Sequence, residues 1–377
     1  MIKMDYETYN CTLKTKSPVI VAAGSEYQYG PQEYIFTKGK LNGNLVDLVK
    51  KIDITKYYKS LDEDKKEELL SNLLDSDFNL DEYFKSNTDI KNYGYYSSVS
   101  MCKTRPNKEI MEHVKTMNKL YIPGSSLKGA LTTAILYDNI TINDVEDTVR
   151  KNYLNKNYLN KEKYNNILRK YFSSKKENSA QNNIMRFIQI SDTNLLKIPR
   201  IYDIQSIQVK PYDYEYYKRG GIVTTYYETI EQNSKLNCDI TIKKDKEILN
   251  KLNLKEKGKI LDIDYIKDVL YNFSMDYIEY EQDFIDTYNI DFLKDYYKQL
   301  ARENTPDSPL IRVGLGSGFM QTTINMKTKN EDPMLYIKKV QKIAHKNSYD
   351  YEFPKSRKIT AKTKKPLGWI KLRFDKK

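Results

Sequence analysis

Apolar and polar positions along the chain change period several times, and each change predicts an element. Residues 8–24 (TYNCTLKTKSPVIVAAG) read as a strand, a break at Ser17-Pro18 and a short apolar strand ending at Gly24. Gly24–Pro31 reads as a loop and Glu33–Phe36 as a return strand. From Asn44 to Leu80 the pattern turns helical. Ser60 and Glu63 have the spacing of a capping box, and Leu69, Leu70, Leu73 and Leu74 form an apolar stripe. This predicts a helical insertion that continues to about Asn118. The segment Tyr121–Ile135 (YIPGSSLKGALTTAI) then predicts a strand end, a Pro-Gly-Ser-Ser turn and a helix with Leu127, Leu131, Ala134 and Ile135 inward. Ile140–Asn182 is polar and predicts helices on a solvated face. Its near-duplication KNYLNKNYLN is too short, and recurs too few times, to make a solenoid.

Further strands are predicted at Ile184–Ile190, Ser206–Lys210 and Ile222–Ile230, the last two flanking an aromatic loop, PYDYEYYKRGG. Residues 238–243, about 308–313 and the closing PLGWIKLR add three more, with helices between Asp245 and Arg302. Helices and strands mix without the regular alternation of a parallel sheet. The expected class is therefore α+β, with antiparallel sheets covered by helices. At 377 residues two domains are expected, divided as 1–205 and 206–377, the first carrying helical insertions at about 44–118 and 140–182.

Charge sharpens the picture. The chain carries +12, but residues 355–377 alone hold ten Lys or Arg against one acid, Asp375. A basic, Ser/Thr-containing tail of this kind suits a polyanion, most simply nucleic acid. The 34 tyrosines invite a base-stacking role, yet Lys, Asn and Ile are also abundant, as an A/T-rich genome produces, and half-buried packing accounts for most of them. Three widely spaced cysteines, Cys11, Cys102 and Cys238, form no Cys-x-x-Cys pair. They argue against a disulfide scaffold and a zinc ribbon, and fit a reducing cytoplasm. No membrane span and no signal-peptide core are evident, so a cytoplasmic protein is expected.

The candidate chemistry is that of a phosphate cradle. Ser125 or Ser126 offers a hydroxyl to cap the helix that opens at the Pro-Gly-Ser-Ser turn, Gly124 lets another backbone approach, and Lys128 sits in the first turn. A second loop, LIRVGLGSGFMQTTI, holds Gly314, Gly316, Ser317 and Gly318 after Arg312. Its glycines fall at every second position, which is not a dinucleotide fingerprint, and GSSLKGA fails the Walker spacing. What survives is a pair of turns with amides exposed to phosphate. His113 and His345 lack Cys or His partners at ligand spacing and are expected to face solvent. Asp192 is expected to cap a strand end, since one carboxylate does not make a metal site. No catalytic residue, metal or cofactor is expected.

In order, LKTKSPVIVAAGSEY, YIPGSSLKGAL, FIQISDT, the Glu228 segment YYETI, LIRVGLGSGFMQTTI and PLGWIKL resemble the RAMP superfamily of type III-A CRISPR systems. The resemblance is strongest to the family of fifth Csm subunits, which cap the effector complex at the crRNA 3′ side. It implies RRM-like, ferredoxin-type domains and a non-catalytic role in binding crRNA beside the filament of backbone subunits. It also implies a part in guide maturation, with host nucleases as further partners. On that basis Gly124, Ser125, Ser126, Lys128, Arg312, Gly314, Gly316, Ser317 and Gly318 are expected to line the RNA path. The related backbone subunit cuts with an aspartate after its first strand, whereas Gly24–Glu33 offers only Glu26 and Glu33. The rival from another class is an endoribonuclease using His113 or Glu26. A third reading is a pure protein-interaction subunit whose basic tail is incidental.

Overall fold

The computed structural model describes residues 6–144, 161–174, 182–210, 215–218, 224–337 and 353–377. Its strands are β1 (Tyr6–Thr15), β2 (Gln28–Tyr29), β3 (Tyr34–Leu41), β4 (Asn44–Ile52), β5 (Gly94–Ser100), β6 (Ile110–Met111), β7 (Lys115–Thr116) and β8 (Lys119–Leu120). They continue with β9 (Ile188–Ile190), β10 (Arg200–Lys210), β11 (Glu215–Lys218), β12 (Thr225–Thr229), β13 (Lys235–Lys243), β14 (Leu310–Arg312), β15 (Ser356–Thr360) and β16 (Trp369–Lys376). The α-helices are α1 (Ile54–Ser60), α2 (Glu63–Leu73), α3 (Leu80–Phe84), α4 (Gly124–Asn139), α5 (Lys161–Phe172), α6 (Lys246–Lys251), α7 (Ile263–Thr287), α8 (Asp291–Glu303), α9 (Asn325–Glu331) and α10 (Pro333–Tyr336).

Two large sheets organise these elements, and β7 and β8 pair as a separate two-stranded sheet. A five-stranded sheet runs in the order β14-β16-β1-β13-β9, antiparallel throughout. Strict alternation along β1 and β13 puts Cys11, Leu13, Leu236, Cys238, Ile240 and Ile242 on one buried face. That face meets Leu127 and Leu131 of α4 and Ile266 and Leu270 of α7. Along β1 and β13 the opposite face is polar, while at the β14 edge Leu310 and Trp369 on that face are buried, Trp369 beside Tyr277 of α7 and Tyr297 of α8. The nine-stranded sheet follows the path β2-β6-β12-β10-β5-β4-β3, with β11 and β15 also paired to β10. It is mixed, because β10 pairs β5 and β12 pairs β6 in parallel. The five-stranded sheet takes strands from both sides of residue 205, and β10 runs through that position. Among the described residues no helix is long and apolar enough to cross a membrane.

Several local expectations need correction. The stretch from Asn44 begins not as a helix but as the second strand of a hairpin, turned at Asn42-Gly43 with φ of 50° and 82°. Two successive positive φ values are what a two-residue hairpin turn with this twist demands. Helices start only at Ile54. The residue that caps α2 is Asp62, which accepts from the Lys65 amide at 3.0 Å, not Ser60. Within its stripe Leu69 is buried, but Leu70 and Leu74 are exposed. The basic C-terminus is no tail: it supplies β15 to the larger sheet and β16 to an interior position of the smaller one.

Candidate nucleic-acid interface

The turn before α4 is built by close backbone packing. A Cβ on Gly124 would collide with the Ile190 carbonyl and come within 2.7 Å of the Ser191 carbonyl oxygen. Only glycine lets the helix start there, against the end of β9. No serine caps this helix. Its first residue is Gly124 itself, and the Gly124 amide donates to Asp192 Oδ1 at 2.8 Å, so the cap arrives from 68 residues away. Asp192 is thus a helix cap, not a strand-end one. Ser125 is exposed and Ser126 half-buried. Lys128 lies along the same edge, donating from Nζ to the Ile188 carbonyl at 2.8 Å, and burial lowers its pKa.

The glycine-rich loop sits at the other edge of the sheet, after β14. Gly314 has φ of 81°, and a Cβ there would run into the Ile20 carbonyl. Leu315 N donates to that same carbonyl at 2.8 Å, which ties the loop to the segment after β1. Arg312 points inward, contrary to expectation, and is 4% exposed. It donates to the Leu367 carbonyl at 2.7 Å, the Tyr277 hydroxyl at 2.6 Å and the Gly316 carbonyl at 3.0 Å. Its guanidinium also stacks near Tyr277 and Trp369, 5.5 and 5.6 Å from the ring centres. Ser317 is likewise turned in, donating to the Gly314 carbonyl at 2.7 Å. Gly316 is half-buried and Gly318 exposed. The two turns therefore flank one sheet at opposite edges, four strand spacings or roughly 19 Å apart, and do not share a pocket.

The basic C-terminal run is also partly spent on structure. Arg357 is buried against Glu281 at 2.8 Å, Lys376 pairs with Glu7 at 2.8 Å and Lys377 with Asp239 at 2.7 Å.

A charged cluster that sequence reasoning did not anticipate lies in the larger sheet. Lys51 pairs with Glu112 at 2.6 Å, Lys115 with Glu112 and Glu228 at 2.9 Å each. Glu228 is fully buried and also accepts from the Tyr96 hydroxyl, the Ser98 hydroxyl at 3.2 Å and the His113 amide at 3.2 Å. Each lysine lies 4.3 Å from the centre of a tyrosine ring, Tyr29 or Tyr96. Every carboxylate is thus matched, as buried charges must be. His113 is buried, not solvent-facing. Its Nδ1 accepts from the Val21 amide at 3.2 Å, so Nε2 carries the proton to the Tyr121 carbonyl at 2.7 Å. Burial lowers its pKa to about 4. With both ring nitrogens engaged, His113 ties residues 21 and 121 together and is not placed to take a proton from a substrate. Glu26 is exposed; His345 falls outside the described residues.

Likeness to known proteins covers almost the whole chain. It is 24% identical over 407 residues to the CRISPR system Cms protein Csm5 of Methanocaldococcus jannaschii, covering 96% of this chain and 87% of that one. Its fold is similar, at a TM-score of 0.70 and 20% identity, to a chain in the cryo-EM structure of a type III-A Csm–crRNA–target RNA ternary complex, covering 97% and 100% of the two. The crystal structure of T. onnurineus Csm5 is similar at 0.64 and 17% identity, covering 95% and 99%. The family model of the RAMP superfamily matches residues 12–321, and this chain belongs to that superfamily.

Proposed function

We propose that this chain is the fifth subunit of a type III-A Csm effector complex, a cytoplasmic, non-catalytic protein that binds crRNA, caps its 3′ side and supports its maturation in antiviral defence. The observation that carries this reading is the end-to-end likeness to Csm5, 96% of the chain in sequence and 97% in fold to a chain from a crRNA-containing complex. Its partners are crRNA and the other Csm subunits, the backbone filament subunit first among them, with host nucleases that trim the guide as a further class. The sealed geometry of His113 supports a structural role over a precursor-cutting one.

The RNA path we assign runs past Ser125, Ser126 and Lys128 at one edge of the five-stranded sheet and the backbone of Gly316 and Gly318 at the other. Arg312, Ser317, Gly314 and Gly124 act behind it, holding the two turns in shape. The test compares, on a denaturing gel, the RNA bound to the complex assembled with and without this chain. Guides left long or ragged at the 3′ end in its absence are expected. Guides of unchanged length and yield would overturn the capping role, and cleavage of RNA by the purified chain would overturn the non-catalytic one.

A further inference from the structure

The polar face of the five-stranded sheet carries an arrangement that folding alone does not explain. Lys14 of β1 lies directly opposite Lys235 of β13 and directly opposite Lys371 of β16. Three lysines therefore stand in one row across three adjacent strands. Like charges directly opposite one another destabilise a sheet. Among the described residues, none of the three ends within 4 Å of a carboxylate. Glu303 of α8, the acid beside Lys371, is paired directly with Lys16 and feels Lys371 only at longer range. Lys14 and Lys235 are exposed and Lys371 half-buried.

The rest of the face fits the same ligand. The next row is Asn237, Thr12 and Arg373; beyond it come Asp239, Asn10 and Asp375, then Thr241 and Thr8. The two acids are answered by Lys377 and Arg373. Hydroxyls and amides thus fill the middle, with Thr12 donating to Asn237 at 3.1 Å and Thr8 within 3.3 Å of Thr241. At the far end Tyr6, opposite Lys243, is 63% exposed. At the near end the row lies beside the strand that feeds the glycine-rich loop: Leu310 is opposite Lys371, and Gly314 follows four residues later. A protein partner would want an apolar centre, and this face has none.

We propose that this face, centred on the row Lys235–Lys14–Lys371, is a docking surface for the ribose-phosphate backbone of single-stranded RNA. Lysines take phosphates, hydroxyls and amides meet ribose hydroxyls, and Tyr6 offers one stacking platform. Contacts of this kind, to phosphate and ribose, are independent of sequence. The inference rests on the crRNA-binding role above and adds the surface that does the binding.

The test uses the full chain, wild type and with Lys14→Gln, Lys235→Gln and Lys371→Gln combined, titrated against labelled oligouridine at several salt concentrations. Loss of three phosphate contacts lowers the slope of log Kobs against log salt by about 2. The unfolding temperature should not fall, because the substitutions remove repulsion, and the corresponding triple Lys→Arg variant should keep the wild-type slope. A triple Gln variant with an unchanged slope overturns the surface while the crRNA-binding role stands. The surface is equally overturned if that variant keeps its slope but no longer assembles with the neighbouring subunits, since the face is then a protein dock. A wild-type chain that binds RNA without salt dependence overturns the electrostatic reading altogether; one that neither binds RNA nor enters the complex overturns the role itself.

Discussion

Replacing Arg312 with methionine separates two roles that the sequence left merged. In the folded chain Arg312 is 4% exposed and satisfies the Leu367 carbonyl, the Gly316 carbonyl and the Tyr277 hydroxyl. Methionine fills most of the volume but donates nothing. Tyr277 keeps a second contact, to the Ser317 carbonyl at 3.4 Å, so two carbonyls are orphaned. At about 1–2 kcal/mol for each unpaired buried group, the loss is about 2–4 kcal/mol. With an m-value of about 3 kcal/mol/M in urea, the midpoint falls by roughly 1 M. Lysine is no better a substitute, because a single ammonium cannot span three acceptors arranged around a planar fork.

The reporter for this experiment is already present. Trp369 is the only tryptophan and is fully buried, 5.6 Å from the Arg312 guanidinium. Its emission during urea unfolding therefore reads the site itself. The salt slope of RNA binding measured on the still-folded variant should match wild type. A midpoint that does not move, together with a slope lower by about 0.7, would return Arg312 to the RNA path and refute the structural role.

Other outcomes follow from the same geometry. Asp192→Ala removes the acceptor for the Gly124 amide and should cost about 1 kcal/mol by chemical denaturation. Gly124→Ala should cost about 1–3 kcal/mol, since the new Cβ meets the Ile190 and Ser191 carbonyls, and it should disturb α4 before other elements in hydrogen exchange. Lys128→Ala should lower the salt slope of RNA binding by about 0.7 if Lys128 lies on the path. His113, with a folded pKa near 4, stays neutral while the unfolded chain takes up its proton below about 6.5. Stability is therefore full above about 6.5, falls as pH drops towards 4 and levels off below it, by on the order of 3 kcal/mol. His113→Gln should flatten that stretch of the curve. Glu7, held down to about 2 chiefly by Lys244 and also by Lys376 and Tyr9, acts in a different window, its contribution being lost only as pH falls below about 4.5.

The sequence carried most of the two turns and little of what stands behind them. Pro-Gly-Ser-Ser before an apolar stripe is a local signal, and α4 begins within it. Its cap is not local, because Asp192 arrives through the pairing of β9 with β13. By sequence alone Arg312 belongs with the residues lining the RNA path. Two of its three partners, Tyr277 and Leu367, are 35 and 55 residues away, beyond the reach of any window. The hairpin at Asn42-Gly43 is legible only through its turn: Leu45, Leu48, Val49 and Ile52 fit helical spacing as well as a strand, and the Asn-Gly pair is the feature that decides between them.

The C-terminal charge shows the same limit most clearly. Counted along the chain, residues 355–377 look like one basic tail, and a tail would act as a uniform polyelectrolyte. Strand period divides them. Arg357 goes into the core to meet Glu281, while Lys371 comes out on the polar face, and register then sets Lys371 beside Lys14. Net charge is the wrong variable for such a segment. What acts on a phosphate is the subset of cations that the pleat leaves outward and that no carboxylate pairs with directly, and those residues come from three parts of the sequence that only the sheet brings together. Neutralising Lys362, exposed in the turn between β15 and β16, changes the tail's net charge as much as neutralising Lys371 does. Only the second substitution should change how the chain holds RNA as salt is raised.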